Sequence, residues 1–258
     1  MTGSVDSSST TPAAGEASVA LNDVCLSFGD RPVLNRVTCS FPTGAVSVLM
    51  GGSGTGKSTT LRVIAGLVAP NSGSVRVAGR EIVGLREFEL ATTREQLGML
   101  FQNGALLDSM TVFDNIALPL RERTDYSEEK IRSEVHQRIE AVGLADVDDL
   151  LPGELSGGML KRVALARAIV LDPAILLCDE PFSGLDPPNV LRIEALLVRL
   201  SKQLGLTVII TSHHVESSRR MGEHVTLLFP EESLSGTTAE LDALGDPRVA
   251  EFLGAAPV

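Results

Sequence analysis

The sequence predicts an α/β fold: a largely parallel sheet covered by helices. Three observations carry that expectation. The β-branched run Ala45–Met50 feeds a glycine-rich loop and then a stretch of helical spacing, Lys57–Leu67. The apolar run Ala174–Cys178 sits between helical stretches at Ser156–Leu171 and Asn189–Leu204. A third run, Leu206–Ser212, follows the last of these. Short buried strands that alternate with helices of this length form parallel sheets.

In chain order, Met1–Ala17 is poor in large apolar residues and reads as a flexible tail. From residue 18 the chain reads as one domain to residue 258. It opens with β patterns at Val19–Phe28 and Val33–Phe41 around the turn former GDRP, and returns to one at Ser72–Gly79. Residues 85–170 read as an inserted helical lobe. Its clearest helix starts after Tyr126: Ser127 caps, Glu128 and Glu129 favour the first turn, Ile131, Val135 and Ile139 form a stripe, and Gly143 closes it. Residues 230–258 read as a C-terminal tail, with two open readings for Asp246–Val258: an interaction segment or a short helix on its own domain. No internal repeat is present.

Composition narrows the function. With 258 residues, 43% hydrophobic and 21% charged, the chain matches a soluble globular protein rather than a disordered, collagenous or disulfide-built one. Its 22 basic and 33 acidic residues give a net charge of −11, which repels phosphate backbones, and 3% aromatic content with no Trp offers little surface for stacking bases. Nucleic acid is therefore not the expected partner. The three cysteines, Cys25, Cys39 and Cys178, form no CxxC pair and read as free thiols in a reducing compartment. No basic residue precedes Arg31, so a secretory signal is not expected, and no apolar run approaches the roughly 20 residues that cross a bilayer. Any membrane role must come through a partner.

GGSGTGKST holds GxxxxGKS, with Gly51, Gly56, Lys57 and Ser58 in the fixed places between a strand and a helix. Glycines let backbone N–H groups curl around a phosphate chain, the helix start adds positive dipole, Lys57 reaches the β and γ oxygens, and Ser58 offers a hydroxyl to Mg2+. At ILLCDEP a buried run delivers Asp179 and Glu180 together. Paired with a phosphate loop, Asp179 suits Mg2+ and Glu180 suits orienting or deprotonating the attacking water. Leu155–Ala168 opens like a capped helix at Ser156 with Gly157 and Gly158 exposing donors, a second anion site. Three readings are open: a further ligand, half of a site on a neighbouring molecule, or a capped core helix.

Phosphate loop, SGG helix, strand ending DEP, SGLDP at Ser183–Pro187 and TSHH at Thr211–His214, in this order, resemble the nucleotide-binding subunit of an ATP-binding cassette (ABC) transporter from Ser18 to about Phe229. The resemblance implies a RecA-like core, an antiparallel β subdomain and a helical signature lobe. It also implies a head-to-tail homodimer with two ATP molecules, each between one phosphate loop and the opposite LSGG. Gly51, Gly52, Ser53, Gly54, Thr55, Gly56, Lys57, Ser58 and Thr59 would then bind the phosphates, and Phe28 would stack on adenine. Gln102 would sense Mg2+ and couple to a membrane subunit, Ser156, Gly157 and Gly158 would touch the γ-phosphate across the dimer, Asp186 would link the two sites, and His213 would hold the γ-phosphate.

Phe101–Glu122, the LSGGM signature with its basic pair Lys161 and Arg162, and DPRVAEFLGA near the end are similar to the ATPases of Mla and Mce lipid transporters. That resemblance implies an ATPase at the cytoplasmic face of a bacterial inner membrane that powers phospholipid movement. The implied partners are an integral permease dimer, an MCE-domain lipid-binding protein and a small STAS-domain protein. Other ABC transporters for lipoproteins, amino acids or drugs are the alternative; a soluble ABC switch would carry two cassettes or long coiled-coil insertions, and 258 residues with one motif set hold neither. The sequence departs from the family pattern at His214, where Asp is usual, at Cys178, where a larger apolar residue is usual, and around Pro230, which lacks the usual glycine turn.

Overall fold

The structure, a computed structural model, describes residues 17–253. The N-terminal segment read as a flexible tail therefore lies almost wholly outside the described residues. Two sheets organise the chain. In the smaller one, β1 (Ala17–Phe28), β2 (Arg31–Pro42), β4 (Ser72–Val77) and β5 (Arg80–Glu81) run antiparallel in the order β2-β1-β4-β5. The larger has the order β10-β9-β3-β8-β7-β6, made of β3 (Val46–Gly51), β6 (Leu97–Leu100), β7 (Ile175–Asp179), β8 (Thr207–Thr211), β9 (His224–Leu228) and β10 (Ser233–Gly236). The five strands from β9 to β6 are parallel, and only the β9–β10 hairpin is antiparallel.

Strand periodicity sorts the core. On one face Leu49, Ile175, Leu177 and Ile209 pack with the small sheet and α1 (Lys57–Ile64). On the other Leu176, Cys178, Val208 and Ile210 pack with α5 (Gly157–Ile169) and α6 (Pro187–Leu204). Because β3, β7 and β8 are buried on both faces, they read as continuous apolar runs rather than alternating ones. Cys178 is fully buried, where its small side chain lies among larger ones, and burial pushes its thiol well above the ordinary range.

The helical lobe consists of α3 (Val112–Arg123), α4 (Glu128–Ala141) and α5. The α4 helix is capped as the sequence suggests, with Ser127 Oγ accepting from the Lys130 amide and Gly143 closing at φ 69°. The lobe starts later than residue 85. Residues 87–94 form α2 (Glu87–Arg94), and Leu97–Leu100 pair in parallel with Ile175–Cys178 as an edge of the main sheet. A four-residue strand with an alternating burial pattern is too short to show a period against helical surroundings.

The described part of the C-terminal segment packs on its own domain. The hairpin turn around Pro230 is closed by the Phe229 amide donating to Glu232 O at 2.9 Å. Two short helices follow, α8 (Thr238–Ala243) and α9 (Pro247–Leu253), with Val249 and Leu253 buried against Val48 and Val225. Arg248 ties the last helix back to Glu232 at 2.7 Å. Before β9, α7 (Val215–Met221) completes the cover.

His224, at the start of β9, is half-buried and its Nδ1 has no hydrogen-bond partner. Burial holds its imidazole below the ordinary value, with Glu240 opposing. The unfolded chain then binds a proton that the folded chain does not, so this residue's contribution to stability falls as pH drops through about 6.5 and levels off below the folded value. The fall in Tm between pH 7.5 and pH 5 is expected to be smaller in His224→Gln than in the wild type; equal falls would show that this imidazole is not responsible.

Candidate nucleotide site

The loop Gly52–Gly56 leaves β3 at the centre of the main sheet and enters α1. Gly56 takes φ 94°, and a Cβ there would meet Leu34 Cδ2 at 2.5 Å and Val33 O at 2.8 Å, so only glycine fits. The first turn of α1 carries no acidic residue and no side-chain cap. Its amides therefore stand open to an outside anion, with the helix dipole adding positive potential. Lys57 Nζ folds over the loop, donating to Gly51 O at 2.9 Å and Gly52 O at 3.0 Å, and Thr55 Oγ1 donates to Gly52 O at 2.9 Å.

Beside the loop, β7 and β8 end side by side. Asp179, only 5% exposed, accepts at Oδ1 from Ser58 Oγ at 2.8 Å and from Thr211 Oγ1 at 2.7 Å. The same Thr211 oxygen accepts from the Glu180 amide at 2.9 Å. Glu180 itself holds φ 46°, a left-handed conformation that costs a non-glycine residue about 1 kcal/mol or more. That turn swings its carboxylate out of the sheet, where Oε2 lies 2.9 Å from His213 Nδ1, with the ring not aligned to donate to it.

Lys57, Ser58, Glu180 and His213 line one cleft of about 560 Å3 together with Phe28 and Gln102. Ser53, Gly54, Gly56 and Thr59 of the loop and α1 also line it, as do Arg31 and Val33. Gly51, Gly52 and Thr55 shape the loop from behind, and Asp179 lies beneath Ser58. Ser156, Gly157, Gly158 and Asp186 are not among the residues lining this cleft. Ser156 caps α5 by accepting from the Met159 amide at 3.3 Å, and Asp186 caps α6 by accepting from the Asn189 amide at 3.2 Å. The two caps abut: a Cβ on Gly158 would lie 2.8 Å from Asn189 Oδ1.

Comparison with known proteins decides the lineage. The ABC transporter family model matches residues 34–183. The chain belongs to the ABC transporter family. It is 40% identical over 236 residues to the intermembrane phospholipid transport system ATP-binding protein MlaF of Escherichia coli K12, covering 91% of this chain and 88% of that one. It is 41% identical over 237 residues to the probable ribonucleotide transport ATP-binding protein mkl of Mycobacterium tuberculosis H37Rv, covering 92% of this chain but 66% of that one. The chain thus spans just under two thirds of the mycobacterial relative. Among solved structures, the dimeric structure of MJ0796, a bacterial ABC transporter cassette, matches with TM-score 0.78 at 30% identity over 85% of this chain and 98% of that one. A post-hydrolysis state of MJ0796 bound to ADP and Pi matches equally well, with TM-score 0.78 at 31% identity and the same coverages.

Within this ABC cassette, three contacts were invisible to motif reading. Thr211 joins Asp179 to the Glu180 backbone; its signal was the hydroxyl at the end of an apolar strand beside an acidic pair. Lys161 Nζ donates to the Gln102 carbonyl from α5, and burial lowers its ammonium, opposed by Cys178, Asp179 and Glu180. Fully buried Asn115 binds the Leu107 amide at 2.8 Å and the Leu107, Met110 and Thr111 carbonyls at 3.1, 3.1 and 3.0 Å, welding the segment after Gln102 to the lobe.

Proposed function

We propose that this chain is the ATP-hydrolysing subunit of a transporter that moves phospholipid or another hydrophobic lipid through a bacterial envelope. The observation that carries the ATPase part is a cleft lined by Lys57, Ser58 and Glu180, with Asp179 and Thr211 hydrogen-bonded behind Ser58 and the Glu180 backbone. The lipid part is supported by the 40% identity to MlaF across most of both chains. The similarity to mkl, a probable ribonucleotide transport ATP-binding protein, favours a second reading, ribonucleotide transport.

In this reading the open amides of α1 and Lys57 hold the β and γ phosphates, and Phe28, 56% exposed, offers its ring to adenine. Ser58 Oγ and Asp179 are hard oxygen donors that suit Mg2+, with Gln102 beside them. When bound, Mg2+ neutralises charge on the β and γ oxygens. Glu180 orients the attacking water and takes its proton, while His213 donates to the γ-phosphate.

Ser156, Gly157, Gly158 and Asp186 stand apart from the cleft, which fits a site completed by a second copy; that the related MJ0796 cassette is dimeric is consistent with this reading. ATP then closes a head-to-tail homodimer and hydrolysis opens it. Among the described residues no helix is long and apolar enough to cross a membrane. Membrane attachment falls to a permease dimer, with an apolar groove of about 420 Å3 beside Phe101, Leu118 and Pro119 as its seat. An MCE-domain protein outside and a small STAS-domain protein inside complete the proposed assembly, placing this subunit at the cytoplasmic face of the inner membrane.

Affinity purification of tagged Glu180→Gln protein from native membranes with ATP tests the whole reading. Recovery of a permease, an MCE-domain protein and bound phospholipid is expected. A different permease would keep the ATPase and overturn the lipid; recovery of ribosomes, or of no membrane protein, would sink the transporter.

A further inference from the structure

His214 stands at the N-cap of α7, a position that favours Ser, Asp or Asn because their oxygens accept from the open amides. Its side chain makes no cap hydrogen bond. The main chain is instead pinned on both sides, the His214 amide donating to Ser212 Oγ at 2.9 Å and its carbonyl accepting from Ser218 Oγ at 2.8 Å. This leaves the ring no freedom in where it starts, and its contacts show where it goes. It faces the His213 ring with centroids 4.5 Å apart and planes tilted by 33°, and meets the Phe182 ring edge-on at 6.1 Å and 87°.

Phe182 is 1% exposed and cannot shift. It also belongs to the same turn as Glu180, which the Ser183 amide closes by donating to Glu180 O at 3.1 Å. The contacts therefore form a closed circuit: Glu180 to His213, His213 to His214, His214 to Phe182, and Phe182 back through the turn to Glu180. His213 alone is poorly held, because its side chain is 63% exposed and its ring does not align a hydrogen bond to Glu180. A ring with no further contact would be free to leave the cleft by rotating about its side-chain bonds.

We propose that His214 is a positioning residue that fixes the His213 ring toward the phosphate end of the cleft by stacking on it and bracing against Phe182. The kinetic consequence rests on the ATPase reading above; the structural consequence does not. In this chain, which lacks the Asp usual at position 214, the feature that holds His213 is a flat ring and not a charge. An aspartate would cap α7 well and leave His213 without its neighbour, whereas phenylalanine would keep the face.

The test uses the full chain with His214→Asp, His214→Phe, His213→Ala and the double variant His213→Ala/His214→Asp. His214→Asp is expected to lower kcat roughly tenfold, the scale of one lost aromatic contact, with KM for ATP unchanged and Tm no lower than the wild type's, since the new cap can only add stability. His214→Phe should recover most of that loss. The double variant should be no slower than His213→Ala alone, since a residue that acts only through His213 has nothing left to act on. Additive losses in the double variant, or equal losses for Asp and Phe, would overturn the proposal. Independently of hydrolysis, imidazole NMR of the nucleotide-free chain should show ring-to-ring contacts between His213 and His214, and His213 signals that move in His214→Asp but stay near their wild-type positions in His214→Phe. If the wild type hydrolyses no ATP, the ATPase reading fails by itself. His213 signals unmoved in His214→Asp would overturn the positioning role even then.

Discussion

Lys57→Ala is expected to weaken nucleotide binding roughly 100-fold or more, on the scale of a lost hydrogen bond to a charged group together with the collapse of the loop around it. Lys57 is the residue whose cation reaches over the phosphate loop, and its Nζ is bonded to two loop carbonyls, Gly51 O and Gly52 O. An incoming phosphate would meet a cation already in place, so little ordering cost is charged to binding. In the variant, the α1 amides remain but the loop loses both its positive charge and its tether. Titration with a fluorescent ATP analogue checks this, and Tm without nucleotide should stay near the wild-type value because Lys57 lies at a site rather than in a core. Wild-type affinity in Lys57→Ala would show that the loop does not hold phosphate.

Glu180→Gln separates chemistry from binding. The carboxylate is only 12% exposed and points into the cleft, but the fold holds the residue through its backbone, the amide donating to Thr211 Oγ1. The amide side chain has the same shape and keeps that bond while losing the ability to accept a proton. Hydrolysis should fall by roughly 100-fold to 10,000-fold, the range of general-base losses, with ATP affinity retained. The variant should also elute as a dimer in ATP and as a smaller species without it, because the closed state no longer decays. Near wild-type turnover would remove Glu180 from its role, and an unchanged elution volume in ATP would count against ATP-driven dimerisation.

Much of the site was legible along the chain because its parts are contiguous. A phosphate loop needs glycines, a lysine and a hydroxyl within nine residues, Gly51–Thr59, and a strand and a helix on either side. The Asp179–Glu180 pair was legible for the same reason: a buried strand of five residues has to end somewhere, and it ends in the acids. What motif reading could not reach was contact between distant segments. Thr211 lies 32 positions from Asp179, yet the parallel pairing of β7 and β8 sets the two residues in register. Nothing in the spacing of either strand encodes that register.

The limits of the lobe show the same division. The apolar residues of α3 and α4 recur at helical intervals and were readable as helices, whereas Leu97–Leu100 are too few to show a period and became a strand only by pairing with β7. Near the C-terminus, hydrophobic residues such as Val249 and Leu253 carried no instruction about what they would cover; the edge of the main sheet at β3 and β9 supplied it.

By itself, the sequence determined the α/β alternation, the phosphate loop, the acidic pair and the capped signature helix, since each depends on neighbours within about one or two helical turns, where backbone geometry ties position in the chain to position in space. Only the tertiary structure decided that Ser58, Asp179, Thr211 and Glu180 form one hydrogen-bonded set, that His214 braces His213, and that Ser156–Gly158 stand apart from the cleft in their own chain. Those outcomes depend on which strands pair and which helices cover them, and that choice is made by the burial of the whole core rather than by any local run of residues.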